Sequence, residues 1–160
     1  MHARRRICNL HAGFTLVELV IVVVLLAVLS VYVAIRGVSP AEATLPSQAE
    51  QLARDIRHLQ VLAATKGQHL RVNTTASGYS VTCIEAEGPI ACDASASLSV
   101  TLKDAVLAGP SPPLDFDSLG RPLENGSVRT TPSTYTLSAG TASMAVRVSP
   151  ISGFVAVASL

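Results

Sequence analysis

The chain has 160 residues, enough for one domain with a modest core, and its 49% hydrophobic content and mean hydropathy of +0.44 are high for a water-soluble protein. Net charge is +1, and once Arg4, Arg5 and Arg6 are set aside, residues 36–160 carry nine Lys and Arg against ten Asp and Glu. A balance this close to neutral gives no electrostatic reason to expect nucleic acid or anionic lipid as a partner.

Residues 1–13 form a short basic leader without an acid, and residues 14–35 (FTLVELVIVVVLLAVLSVYVAI) hold most of the apolar excess. As a helix those 22 residues would extend about 33 Å at about 1.5 Å per residue, enough to cross a bilayer. Three arginines precede the run and Arg36 alone follows it closely. The positive-inside bias therefore keeps the N-terminus in the cytoplasm and sends the remainder outward, into the periplasm of a Gram-negative cell. A cleaved secretory signal is one rival, supported by the Ala41-Glu42-Ala43 triplet downstream. Against it, the run exceeds the usual signal core of about 7–15 residues. An ordinary single-pass anchor is the other rival.

Glu18 is the only ionisable residue in the apolar run. A carboxylate in lipid needs a cation or several donors, and an isolated helix supplies neither. A cut after Gly13 would leave Phe14 with a free, positively charged amine, four residues and one helical turn before Glu18. The two would share a helix face, and the acid would also complement the helix dipole. Alternatively the carboxylate could reach the amine of a neighbouring subunit and set axial register between packed helices.

Gly13-Phe14-Thr15-Leu16-Val17-Glu18-Leu19, behind a basic leader and ahead of an unbroken apolar helix, resembles the cleavage and methylation motif of type IV pilins and type II secretion pseudopilins. The resemblance implies that a prepilin peptidase cuts between Gly13 and Phe14 and N-methylates Phe14. It also makes Glu18 the assembly glutamate. Implied partners are that peptidase, other pilin or pseudopilin subunits, the inner-membrane assembly platform, and membrane lipid before extraction. Many major pilins bend their helix with a proline where this chain has Ile35; here Pro40 and Pro46 come later and move the expected kink beyond the membrane.

A second helix is legible next. Ser47 and Glu50 match a capping box, with Pro46 stopping any helix upstream. Ala49, Leu52, Ala53, Ile56, Leu59 and Ala63 recur at helical spacing, and Lys66-Gly67 reads as the C-terminus. By the resemblance this would continue a kinked spine from Phe14 to about Lys66. Strands are expected at 69–73 and 79–84 around a 74–78 turn, then at 98–102, 114–116, 135–137, 144–148 and 154–157. The last two flank Ser149-Pro150-Ile151-Ser152-Gly153, a hairpin-length connection, while residues 109–113 and 124–133 read as loops.

The expected architecture is α+β: leader 1–13, transmembrane and assembly helix 14–35, linker and amphipathic helix 36–67, and an antiparallel β domain 68–160. With Phe116, Gly120 and a closing strand after Gly153, this plan resembles the minor pseudopilin H and FimT-type minor pilins. Cys8 would leave with the leader, so the mature chain keeps Cys83 and Cys92. In an exported domain these favour a disulfide over a metal site or nucleophile, with free thiols the alternative.

No nucleotide-binding, hydrolase or zinc-protease motif occurs, so no catalytic residue, metal or cofactor is assigned. His58 reads as a solvated helix residue. Asp115 and Asp117 could bind calcium from one side of a strand, but a solvated edge is favoured because no third oxygen ligand is near in sequence. Asn73-Thr74-Thr75 and Asn125-Gly126-Ser127 match the glycosylation sequon, which carries little weight in a bacterium. The expected function is a minor pilin or pseudopilin subunit. One alternative adds ligand capture, such as DNA held by Arg71, Lys103, Arg121, Arg129 and Arg147, although basic residues scattered among acids read as ordinary surface. A membrane-anchored enzyme is the remote alternative.

Overall fold

The structure, a computed structural model, describes residues 15–35, 39–85, 88–90, 92 and 97–160. Gly13, Phe14, Cys8 and Arg36 lie outside the described residues. The chain divides into two compact units, residues 1–38 and residues 39–160.

In the first unit, helix α1 spans Leu16–Ile35. Thr15 starts it: its hydroxyl accepts from the Glu18 amide at 3.3 Å and its carbonyl from the Leu19 amide at 3.2 Å. Glu18 stands in the first turn, where an acid complements the helix dipole. Ser30 donates its hydroxyl to the Leu26 carbonyl at 2.7 Å, which satisfies a polar group inside an apolar helix. At 20 residues the helix is about 30 Å long, the thickness of a bilayer core. No residue of the span Leu16–Val33 is buried.

The second unit opens with helix α2, Pro40–Lys66. Its start lies eight residues upstream of the expected Ser47–Glu50 cap. Ser39 is the N-cap, extended at ψ 144, with its hydroxyl accepting from the Glu42 amide at 3.2 Å, and Pro40 follows at the first helical position. The extended Ser39 marks the upstream end of α2, and residues 36–38, through which the expected kinked spine from Phe14 would run, lie outside the described residues. Pro46 lies inside α2 rather than terminating it. It is exposed, and having no amide hydrogen it leaves the Glu42 carbonyl without its intrahelical donor. Ser47 donates its hydroxyl to the Thr44 carbonyl at 2.7 Å instead of capping. At the far end Gly67 takes the left-handed conformation, φ 65, and its amide closes on the Ala63 carbonyl.

Among the described residues eleven strands follow: β1 (His69–Thr75), β2 (Gly78–Glu85), β3 (Gly88–Ile90), β4 (Ser99–Thr101), β5 (Val106–Ala108), β6 (Leu114–Phe116), β7 (Pro122–Glu124), β8 (Ser127–Val128), β9 (Ser133–Ala139), β10 (Ala142–Val148) and β11 (Val155–Ser159). One sheet runs β3-β2-β1-β6-β7-β8 with β4 also paired to β2; the other runs β11-β10-β9-β5. Every described pairing is antiparallel. The fold is α+β, an apolar N-terminal helix followed by a helix-and-sheet unit.

β3, β5 and β7 match no expected strand, and β8 falls inside the 124–133 stretch expected as loop. The hairpin that carries β8 turns on Asn125 and Gly126, both at positive φ (50 and 82). Such a pair is a strong two-residue hairpin signal.

The apolar stripe of α2 seals the core. Leu45, Ala49, Leu52, Ala53, Ile56, Leu59 and Ala63 are all 0–1% exposed, against Leu70, Val72, Phe116, Tyr135, Leu137 and Val146 from both sheets. Alanines at three of the seven stripe positions bring the helix close, while each buried Leu or Ile contributes about 2 kcal/mol at most.

Candidate assembly site

Polar residues flanking the α2 stripe fasten it to both sheets. Glu42 accepts from the Thr141 amide and hydroxyl at 2.8 and 2.9 Å, on the two-residue turn between β9 and β10. These bonds, the amide's first, hold the Glu42 carboxyl below the usual range. Gln48 exchanges two 3.0 Å bonds with the Lys103 backbone. Tyr79 donates its hydroxyl to Asp55, and burial, followed by that carboxylate, pushes the phenol well up. Arg57 donates to the Val155 carbonyl at 2.9 Å, and Gln60 donates to the carbonyls of Gly120 and Ser152 at 3.0 and 2.9 Å.

Asp115 and Asp117 are not a solvated edge. They are 5% and 6% exposed, and each is answered by an arginine. Asp115 takes Arg71 in a two-pronged contact, Nε to Oδ1 and Nη2 to Oδ2, both 2.7 Å. The pair pushes Arg71 further up. Burial pushes the Asp117 carboxyl up, but donors outweigh it and hold it below the usual range. Those donors are the amides of Arg121 and Leu119 at 2.8 and 2.9 Å and the Arg121 guanidinium at 2.8 Å. Among the described residues no group of three or more His, Cys, Asp or Glu could hold a metal.

The five basic residues considered for DNA do not form one free cationic face. Arg71 and Arg121 are spent on the two aspartates. Arg129, expected at the surface, is 4% exposed and donates to the Pro112 carbonyl at 2.9 Å, with Glu124 3.8 Å away. The remaining two, Lys103 and Arg147, are exposed. His58 is exposed on α2. A shallow polar hollow at the β2–β4 contact is lined by Thr75, Ser77, Ser80, Ser99 and Thr101 with no acid, amine, histidine or thiol among its lining residues.

Cys83 and Cys92 are joined in a disulfide, Cα atoms 5.0 Å apart. Cys83 is inward-facing on β2, paired with Ile90 of β3, so the bridge ties the end of this edge hairpin to the core. Closing so short a loop contributes about 2–3 kcal/mol.

The model of the type II transport protein GspH family matches residues 48–153. The chain belongs to that family. The prokaryotic N-terminal methylation motif matches residues 8–34, which include Gly13, Phe14 and Glu18. A search of the curated proteins found no match. Among solved structures the fold is similar to the minor pseudopilin EpsH from the type 2 secretion system of Vibrio cholerae. Identity is 17% and the TM-score 0.56, over 72% of this chain and 96% of that one. It is also similar to the type IV minor pilin FimU of Pseudomonas aeruginosa, at 15% identity and TM-score 0.53, over 74% of this chain and 89% of that one. The family places the chain among structural pilin subunits, which anchor in a membrane and assemble with other subunits of their kind. It is a subunit of a type II secretion pseudopilus or a type IV pilus. Of the residues expected at the assembly site, Glu18 lies on the first turn of α1, exposed, while Gly13 and Phe14 are outside the described residues.

Proposed function

We propose that the chain enters the inner membrane with its N-terminus in the cytoplasm, is cut by a prepilin peptidase between Gly13 and Phe14, and is N-methylated at Phe14. An assembly platform then draws the chain out of the bilayer into a filament. The α1 helices bundle at the filament's centre, and the periplasmic unit from Ser39 onward lies on the outside or at the tip. The role is structural and not enzymatic.

The observation that carries this reading is the union in one chain of a methylation motif over residues 8–34 and a GspH domain over residues 48–153. Glu18 supports it further. It is the one acidic side chain in a helix that has no basic residue and no buried one, so its carboxylate needs a cation that cleavage would create. The signal-peptide rival fits less well. Ala41-Glu42-Ala43 lies in the first turn of α2, and a cut after Ala43 would discard the Ser39 cap and the Glu42–Thr141 clasp.

Glu18→Ala tests the assembly step. The variant is expected to be processed normally and to fall at least tenfold in purified filaments. Wild-type incorporation would overturn the role of Glu18.

A further inference from the structure

Outside α1, the large apolar side chains that stand exposed among the described residues are Val61, Val106, Leu119, Ile151, Phe154 and Leu160. Four of them gather around Gln60. Its amide donates to the carbonyls of Gly120 and Ser152, which brings the β6–β7 turn with Leu119 and the β10–β11 turn with Ile151 to one stretch of α2. Gly153, next to Phe154, comes so close that a β-carbon there would lie 2.4 Å from the Gln60 amide nitrogen. Val61 follows Gln60 on the helix. The four are 60–67% exposed.

Ile151 shows that this exposure is built in. The Ser152 amide donates to the Pro150 carbonyl at 2.6 Å, closing a three-residue turn on Ile151 at φ 64. A β-branched side chain at positive φ is strained where glycine or asparagine would be at ease. Packing within the unit does not offset that strain, because the side chain faces outward. The isoleucine serves something outside the unit.

The charge around it has one sign. At about 100° per residue, Arg57, Val61 and Arg54 lie side by side on the flank of α2. From Gln51 to Lys66 the exposed positions of α2 include Arg54, Arg57, His58 and Lys66 and no acid. Asp55 is half-buried and accepts from Tyr79, and Asp117 is buried against Arg121. Glu50, one turn before Arg54, is the exposed acid nearest upstream. Arg57 bonds a neutral group, the Val155 carbonyl, so its charge stays uncompensated. A unit near neutral overall thus sets cations beside an apolar patch.

We propose that before assembly this face rests on the anionic phospholipid surface of the bilayer that α1 spans. Val61, Leu119, Ile151 and Phe154 enter the headgroup region, and Arg54 and Arg57 meet lipid phosphates. Apolar insertion with cations alongside is the chemistry of an interfacial contact with anionic lipid. The tether selects lipid over a soluble partner: α1 ends at Ile35 and Ser39 caps α2, a chain length of at most about 14 Å. The bilayer surface is therefore held at high effective concentration, so a contact too weak for a free domain is still occupied. The inference rests on the membrane-anchored subunit reading and adds a resting site from which extraction must lift the unit.

The chain has no tryptophan, so Phe154→Trp gives the full-length protein a single reporter. It is reconstituted in vesicles of phosphatidylcholine alone and of phosphatidylcholine mixed with phosphatidylglycerol. Quenching by brominated acyl chains is expected to be at least threefold stronger in the anionic vesicles and to fall at least threefold at high salt. On the same background Ile151→Asn suits the turn better and the lipid worse. It is expected to keep or raise the thermal midpoint while cutting quenching at least threefold, and Arg54→Glu is expected to cut it as far. Equal quenching in both lipids, or quenching that neither substitution changes, overturns the proposal. A blue-shifted emission without quenching, growing with protein density, gives the face to another protein chain and overturns the lipid occupant. If Phe154→Trp does not fold, Leu119→Trp carries the same measurement. The vesicles hold no assembly machinery, so a negative result leaves the subunit reading intact, whereas failure of that reading shows in the filament content of Glu18→Ala.

Discussion

The side-chain amide of Gln60 donates to the Gly120 carbonyl at 3.0 Å, and Gly120, at φ +74, lies so close that a β-carbon there would sit 2.9 Å from the Gln60 backbone oxygen. The same Gln60 nitrogen donates to the Ser152 carbonyl at 2.9 Å. One residue of α2 thus holds the turn between β6 and β7 and the turn between β10 and β11, so the helix sets the spacing of the two sheets.

Gly120→Ala is expected to destabilise the helix-and-sheet unit by about 2–3 kcal/mol, through the left-handed backbone and the contact with the helix. Gln60→Ala should cost about 1–2 kcal/mol for two hydrogen bonds. Thermal unfolding of the chain in detergent, followed by circular dichroism, checks both. An unchanged midpoint for Gly120→Ala would contradict the close approach.

Arg71→Ala should cost more than its surface position suggests. Its side chain is 32% exposed, but it leaves behind an Asp115 side chain that is only 8% exposed. An uncompensated charge at that depth costs about 2–3 kcal/mol, below the range for fully buried pairs because solvent reaches the arginine. The double variant Arg71→Met, Asp115→Leu is expected to recover most of the loss, since it removes the stranded charge. Equal losses in the single and double variants would show that packing, rather than charge, is at stake.

Two carboxylates set the acid limit. Glu42 and Asp117 both titrate below their usual ranges in the folded chain. In the unfolded chain they return to about 4.3 and 3.9, so that state binds more protons as pH falls. Their contribution is therefore complete above about pH 5 and is lost as pH drops through the lower folded values. A midpoint flat from pH 7 to 5 and falling below about pH 4 is expected, with a shallower fall in Asp117→Asn. An acid limb no shallower in that variant would contradict the role of Asp117.

Much of this was legible in the chain. The stripe from Ala49 to Ala63 repeats at the helical period because it has one face to bury, and all six of its residues are at 0–1% exposure. β6 was found at Leu114–Phe116 as expected. The N-terminus of α2 was not, because two start signals compete. Ser47-Glu50 satisfies the local capping rule, yet Ser39-Pro40 takes the cap, and the Glu42–Thr141 clasp that holds it joins residues 99 apart. Asp115 and Asp117 misled for a related reason: an aspartate's partner, such as Arg71 for Asp115, can be distant in sequence. Arg121 was within four residues of Asp117, a usable signal. Residues 124–133 read as loop by composition, although the Asn125-Gly126 turn chemistry already points to the β7–β8 hairpin.

Assembly as proposed requires a new N-terminus beside Glu18, and intact-mass and N-terminal fragment spectrometry of the protein purified from its native membrane tests it directly. The expected species begins at Phe14, carries one added methyl on its amine and lacks the three leader arginines. A chain that begins at Met1, or at Thr44 after a signal-peptidase cut, would contradict it.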